Sequence, residues 1–303
     1  MKKRRIFVTG SAGCIGFHLS KLLLTEGHEV HGYDGMTDYY DVNLKQARHK
    51  LLENFSNFTN TVGMLEDHKL LYDDFKKFNP DVVIHLAAQA GVRYSLENPR
   101  AYIESNIVGT FNIMEAARKN SIKHLLMAST SSVYGANQNM PFDECDKADT
   151  QLTIYAATKK ANENMAHSYA YLHKLPTTMF RFFTVYGPWG RPDMALFKFT
   201  KQILNNDEID IYNNGEMYRD FTYVDDLVNG IRLLIDAIPE TGKSLCKTDS
   251  ISPVGPYRVV NIGNSKKIKL LDFIDAIESE LDIKAKRNMM PMQIGDVTET
   301  WAD

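Results

Sequence analysis

Residues 10–16, Gly-Ser-Ala-Gly-Cys-Ile-Gly, constrain this chain more than any other stretch. Three glycines at three-residue spacing separate an apolar run, Ile6-Phe7-Val8-Thr9, from a helical pattern over 16–26. Such a run in isolation also fits an ordinary turn; its flanks make it a phosphate-binding turn. Gly10 permits the tight bend, Gly13 lets the backbone approach a pyrophosphate, and Gly16 lets helix and strand pack closely. The start of the helix adds free N–H groups and partial positive charge. Gly10, Ala12, Gly13, Cys14, Ile15 and Gly16 are therefore candidate dinucleotide contacts. Asp34 ends the next apolar run, 30–33. A carboxylate there can accept from both adenosine ribose hydroxyls and repel a 2′-phosphate, which favours NAD over NADP. A turn-forming Asp in Tyr33-Asp34-Gly35 is the plainer use of the same residue.

Apolar strands at 82–86, 125–129 and 178–181 alternate with helical segments at 70–78, 105–119 and 154–173. This alternation predicts an α/β fold with a doubly wound parallel sheet covered on both faces. The 125–129 strand is expected next in sheet order after the glycine-rich unit. Beyond about Gly187 the pattern loosens. Pro188, Pro192, Asn213-Asn214-Gly215, Pro253 and Pro256 punctuate it, and helical pieces recur at 196–204, 224–237 and 270–281. The expected division is a nucleotide-binding domain over 1–186, to which the chain returns around 220–262, and a lobe made mainly from 187–303.

Composition narrows the function classes. Of the 303 residues, 44% are hydrophobic, enough for a sizeable core. Lys plus Arg is 35 against 38 Asp plus Glu, so no basic excess points to a nucleic-acid partner. The Lys2-Lys3-Arg4-Arg5 run leads straight into the first strand, without a signal-peptide core, and no run of about 18 apolar residues exists to span a membrane. A cytoplasmic chain with no membrane partner is expected. Cys14, Cys145 and Cys246 are odd in number and lack metal spacing, which predicts free thiols in a reducing compartment. The nine histidines form no HxxxH-type pair, so no metal is expected.

Tyr155-Ala156-Ala157-Thr158-Lys159 sets Tyr and Lys four apart on one helical face, just after a strand ending Ala128-Ser129-Thr130-Ser131-Ser132. A phenol of ordinary pKa near 10 is a poor base at neutral pH. A neighbouring ammonium and a cationic nicotinamide favour the phenolate. Thr130 or Ser132 can hydrogen-bond the reacting oxygen, and Lys159 can hold the nicotinamide ribose. Surface packing is the plainer account of the Tyr–Lys spacing alone.

These stretches, with His85-Leu86-Ala87-Ala88-Gln89-Ala90-Gly91-Val92-Arg93, Arg181-Phe182-Phe183-Thr184-Val185-Tyr186-Gly187, Arg191-Pro192-Asp193-Met194-Ala195 and Asp220-Phe221-Thr222-Tyr223, resemble the extended short-chain dehydrogenase/reductase family nearly end to end, and within it the UDP-glucuronate 4-epimerase group. The resemblance implies a Rossmann domain with a smaller C-terminal nucleotide-sugar lobe, an NAD cofactor, a UDP-sugar substrate and a homodimer. It implies that Tyr155 is the base, Lys159 its electrostatic partner and Thr130, with Ser132, the hydroxyl partner. Leu86, Ala87, Ala88 and Tyr186 would line the cofactor cleft, with Asn106 beside it. Ser131, Thr184 and Arg191 would meet the sugar and its carboxylate, which a bidentate Arg suits. Arg219 and Asp296 would hold the UDP. The chain departs from the family at Met64, where an acid often stands near the adenine, and at Gln293, where many sugar epimerases have Arg. The family's usual closing helix would lie beyond Asp303.

Neighbouring reactions share the first oxidation at C4. Dehydratases of this family usually carry Asp-Glu after the catalytic Thr, and decarboxylases a Glu; this chain has Ser131-Ser132. A 4-keto uronate is a β-keto acid that loses CO₂ readily, so hydroxyls there suit an enzyme that keeps the intermediate intact. The expectation is 4-epimerisation of UDP-glucuronate. The open alternatives are a 4-epimerase of a neutral or N-acetylated UDP-hexose, a decarboxylase or dehydratase, and a non-catalytic NAD sensor on the same fold.

Overall fold

The computed structural model describes residues 3–293 and 295–303. Met1 and Lys2, the start of the basic run, lie outside the described residues. The strands, in chain order, are β1 Arg5–Thr9, β2 Glu29–Asp34, β3 Phe58–Val62, β4 Val82–His85, β5 His124–Thr130, β6 Thr177–Phe182 and β7 Thr184–Tyr186. They continue as β8 Glu208–Ile211, β9 Tyr218–Tyr223, β10 Tyr257–Ile262, β11 Lys267–Lys269, β12 Lys286–Met289 and β13 Glu299–Thr300.

Alternate residues of the inner strands face opposite sides. Ile6 and Val8 pack with Phe17, Leu23 and Leu227, whereas Phe7 packs with Leu71, Phe75 and Ile113. Both faces are thus covered by helices, and each fully buried side chain stabilises by roughly 1.5–3 kcal/mol relative to exposure. Seven strands pair in parallel in the order β10-β6-β5-β4-β1-β2-β3. The order reverses between β1 and β4, and such a switch point opens a crevice at the strand C-termini. The expectation for the 125–129 strand needs correction: β4 lies between β1 and β5. The first three strands wind outward on one side, so the returning chain sets β4 against β1 first.

Three more elements differ from expectation. The helix expected over 105–119 begins with a wide turn, Ile103–Gly109, and is α-helical only from Thr110 to Lys119. Asn106, fully buried there, accepts from the Gln89 N–H at 2.8 Å and donates to the Gln89 carbonyl and to Thr158 Oγ1. Such wide turns gather at functional sites. β3, Phe-Thr-Asn-Thr-Val, is a half-exposed edge strand whose polar composition hides it. The helix Val42–Leu52 was equally hidden, because it buries Lys45, Arg48 and His49 rather than an apolar stripe.

After β6 the chain builds a smaller lobe. β7, β9, β11 and β13 form one sheet, with β8 and β12 a second. The helices Ala195–Leu204 and Leu270–Leu281 close their own core on Phe199, Ile203, Ile209, Ile211 and Ile274. Between these pieces the chain returns to the large sheet. β10 is its outer strand, and the helix Val224–Leu234 inserts Val224, Leu227, Val228 and Ile231 into the first core.

Candidate active site

Two connected hollows lie at the C-terminal ends of the sheet, of about 330 Å³ and about 660 Å³. Gly10, Gly13, Cys14, Ile15, Gly16, Asp34, Leu86, Ala87, Ala88, Lys159 and Tyr186 line the first. Ser131, Ser132, Arg219 and Asp296 line the second. Thr130, Tyr155, Thr184 and Arg191 line both, so they stand where the two meet. Ala12 lines neither: it is fully buried, its N–H donates to Asp34 Oδ2 at 3.0 Å, and its carbonyl accepts from Arg48. Both its backbone groups thus tie the loop to the acid on one side and to Arg48 on the other.

The glycine loop is a cradle that side chains would fill. Gly10 has φ +71°, and a Cβ on it would sit 2.8 Å from the Ala87 nitrogen. A Cβ on Gly16 would sit 2.0 Å from the Gly10 carbonyl oxygen. The helix Cys14–Thr25 that follows has no side-chain cap, so its first N–H groups are left for a ligand. Asp34 is buried at the far side, accepting from Ala12 and, through Oδ1, from Met36 at 2.9 Å. Glycine cradle, uncapped helix start and buried acid fit a dinucleotide.

A buried polar chain holds the opposite rim. Thr9 Oγ1 accepts from the N–H groups of Leu86 and Ala87, both at 3.1 Å, so its own proton goes to His85 Nδ1 at 2.7 Å. His85 Nε2 then donates to Thr110 at 2.9 Å. Burial drives the His85 pKa down to about 3, so the imidazole stays neutral at ordinary pH. Arg48, also fully buried, ties the loop at Ala12 to the carbonyls of Trp189 and Gly190, next to Arg191.

Tyr155 opens the helix Ile154–His173, which Thr153 caps by accepting the Ala156 N–H at 3.2 Å. Tyr155, Lys159 and Glu163 follow at four-residue spacing and share one face. Lys159 is buried and donates to the Ala128 carbonyl at 2.9 Å. Burial lowers its pKa to about 8, against the pull of Glu163. Glu163 makes a two-pronged pair with Arg181, both bonds 2.9 Å, and accepts from Ser129 at 2.6 Å, which locks the helix to β5 and β6. Burial pushes the Tyr155 phenol upward, while the Thr130 hydroxyl and the Arg191 guanidinium pull it back. Arg191 is the charge that opposes burial at Tyr155, and the Lys159 ammonium is held by the Ala128 carbonyl of β5.

Arg191 is not free in its fork. Its Nε donates to Asp193 Oδ1 at 3.1 Å and Nη2 to Oδ2, and Tyr39 donates to the same carboxylate at 3.3 Å. Arg219 directs both terminal nitrogens to the carbonyls of Tyr218, Val297 and Thr298, so it also braces the wall it lines. Asp296 faces Arg93 at 3.5 Å. Sequence reasoning missed Tyr39, Lys45, Arg48 and Asp193. Their only signal was a Tyr39-Tyr40 pair and buried-type spacing of cations on an otherwise polar helix. Among the described residues, Asp143, Glu144 and Asp303 form the only group of three or more potential metal-ligating side chains close enough together for a cation, and none of the three lines either hollow.

A family model described as the NAD dependent epimerase/dehydratase family matches residues 6–263. The chain belongs to that family. A probable UDP-glucuronate 4-epimerase of Rhizobium meliloti (strain 1021) is 54% identical over 301 residues, covering 98% of this chain and 88% of the relative. UDP-glucuronate 4-epimerase 1 of Arabidopsis thaliana is 44% identical over 303 residues, covering 98% and 70%. Among solved structures, the UDP-glucuronic acid 4-epimerase of Bacillus cereus, in complex with UDP-glucuronic acid and NAD, matches with a TM-score of 0.85 at 33% identity, covering 98% of this chain and 90% of that one. Membership of the NAD dependent epimerase/dehydratase family explains why the glycine cradle, Asp34 and the Tyr–Lys face stand around one crevice.

Proposed function

We propose that this chain is an isomerase that interconverts UDP-glucuronate and UDP-galacturonate by transient oxidation at C4. The observation that carries the reading is the meeting point of the two hollows. There Tyr155 and Thr130 meet Arg191 and Thr184, and Ser131-Ser132 directly follow Thr130 where related dehydratases and decarboxylases carry a carboxylate. NAD supplies the two-electron acceptor that takes the C4 hydrogen and gives it back. Tyr155 removes the proton from the C4 hydroxyl, with Thr130 and Ser132 hydrogen-bonding the same oxygen. Lys159 holds the cofactor ribose and favours the phenolate once the cationic ring is bound. Arg191, with Thr184 and Ser131, holds the uronate carboxylate, and Arg219 and Asp296 face the UDP. The sugar turns in the wider hollow, and the hydrogen returns to its other face.

Residues 1–186 with the return around 220–262 form the cofactor domain in this account, and the rest of 187–303 the sugar lobe. A homodimer is the proposed assembly. Ile103, Val108, Phe111, Tyr171 and Leu172 are exposed on the two neighbouring helical segments, and a monomer mass in light scattering would sink it. No helix of the described residues is long and apolar enough to cross a membrane. A cytoplasmic location, where nucleotide sugars are made, is proposed with it.

Product chromatography after incubation with UDP-glucuronate tests the reaction. UDP-galacturonate should appear without CO₂ and without net NADH, and Tyr155→Phe should lose turnover while keeping its cofactor. UDP-xylose or a 4-keto pentose as product would overturn the reading.

A further inference from the structure

Arg48 is a fully buried cation whose hydrogen bonds, among the described residues, all go to neutral oxygens. Its Nη1 donates to the Ala12 carbonyl and to the Tyr40 hydroxyl, both at 2.8 Å. Its Nη2 donates to the carbonyls of Trp189 and Gly190, at 2.5 and 3.2 Å. Its Nε is buried with no partner. A buried charge without an acid beside it is costly, and an apolar side chain would fill the same space at less cost. What an apolar side chain lacks is the rigid planar fork, which reaches several acceptors at once.

The fork joins two segments that are far apart in the chain and differ in task. Ala12 belongs to the glycine loop, and Gly190 directly precedes Arg191. The turn over 187–190 is held against its own preference. Trp189 has φ +57°, a left-handed conformation that a bulky side chain rarely takes. Its ring packs on Phe17 with centroids 5.8 Å apart, and His18 Nε2 donates to the Pro188 carbonyl at 2.9 Å. Phe17 and His18 lie on the helix Cys14–Thr25, so the turn is docked on the element that follows the glycine loop. The Arg48 and Arg191 guanidiniums both pull down the Cys14 thiol that burial raises, so both charges reach the start of that helix. A helix start after such a loop is where a pyrophosphate binds.

We propose that Arg48 is a positioning residue that couples the two hollows: it clasps the glycine loop to the turn that carries Arg191, so a bound dinucleotide and a bound sugar carboxylate strengthen each other. The proposal rests on the NAD and UDP-glucuronate reading of the site and adds the link between its halves. Tightening of this kind shows chiefly as slower release.

Exchange of bound NAD for isotopically labelled NAD, followed on the holoenzyme in saturating UDP-glucuronate or UDP-glucose, tests it. The two sugars differ in the carboxylate that would reach Arg191. In the wild type, UDP-glucuronate should slow exchange about five- to tenfold more than UDP-glucose, within the ordinary range of coupling between sites. Arg48→Lys keeps the charge but loses the planar fork, and should bring the two sugars to within about twofold of each other. Trp189→Gly leaves Arg48 in place but frees the turn, and should do the same; it carries the test if Arg48→Lys does not fold. A wild-type difference retained in either folded variant would overturn the clasp, as would a wild type that binds both sugars and shows no difference between them. A wild type that binds no NAD, or takes up no UDP-glucuronate in calorimetry, would instead overturn the functional reading, and the coupling with it.

Discussion

Tyr155 and Arg191 are coupled in this site before any substrate enters. Arg191 lowers the phenol that burial raises, and it is itself held by Asp193 and, through that carboxylate, by Tyr39. In the proposed reaction a sugar carboxylate would therefore compete with an internal carboxylate for the same fork. Arg191→Ala should cost about ten- to a hundredfold more turnover with UDP-glucuronate than with UDP-glucose, as expected for losing a charge-assisted pair. Equal losses on the two substrates, measured as kcat/KM, would argue against a carboxylate contact. At this scale the sequence was legible where local spacing encodes chemistry. The three glycines, Asp34 and the Tyr155–Lys159 interval are such cases. It was silent on Tyr39 and Asp193, which lie 154 residues apart and meet only after folding. It was equally silent on the Ala128 carbonyl that holds the Lys159 ammonium, 31 residues away in the chain.

At the level of elements, the strand ends are held by buried neutral histidines. His85 bridges β1 and β4 to the helix Thr110–Lys119. His124 joins β5 to Thr178 on β6 at 2.9 Å and to the Ile235 carbonyl. Burial lowers their pKa values to about 3 and about 4. The unfolded chain takes up these protons near the ordinary 6.5, whereas the native state withholds them. The unfolded state thus binds more protons in that window, and stability falls as pH drops from about 6.5 toward 4. Each histidine contributes a slope approaching about 1.4 kcal/mol per pH unit. Urea unfolding midpoints should decline through this range; a midpoint constant from pH 6.5 to 5 would contradict the assignment. The inner strands and amphipathic helices were readable because burial on one or both faces imposes a period. β3 and the helix Val42–Leu52 were not, since one is a polar edge and the other turns cations inward to hold the glycine loop.

Over the whole molecule, a seven-stranded sheet supplies the cofactor crevice and a separate small core backs part of the second hollow. The chain crosses between them more than once, at β7, at β9 and at β10, so the two halves of the site are tied without a linker. That topology explains why the second half of the sequence looked irregular: short strands alternate between two cores and none repeats a period. It also places Tyr155 and Arg191 across one junction, as the proposed oxidation and return require. In the proposed reaction one hydrogen leaves C4 and comes back to the same carbon. UDP-glucuronate labelled with deuterium at C4 tests it, with product analysed by mass spectrometry and NMR. UDP-galacturonate should keep the deuterium at C4, with no label lost to water. Product that has exchanged its C4 deuterium for solvent hydrogen would contradict it.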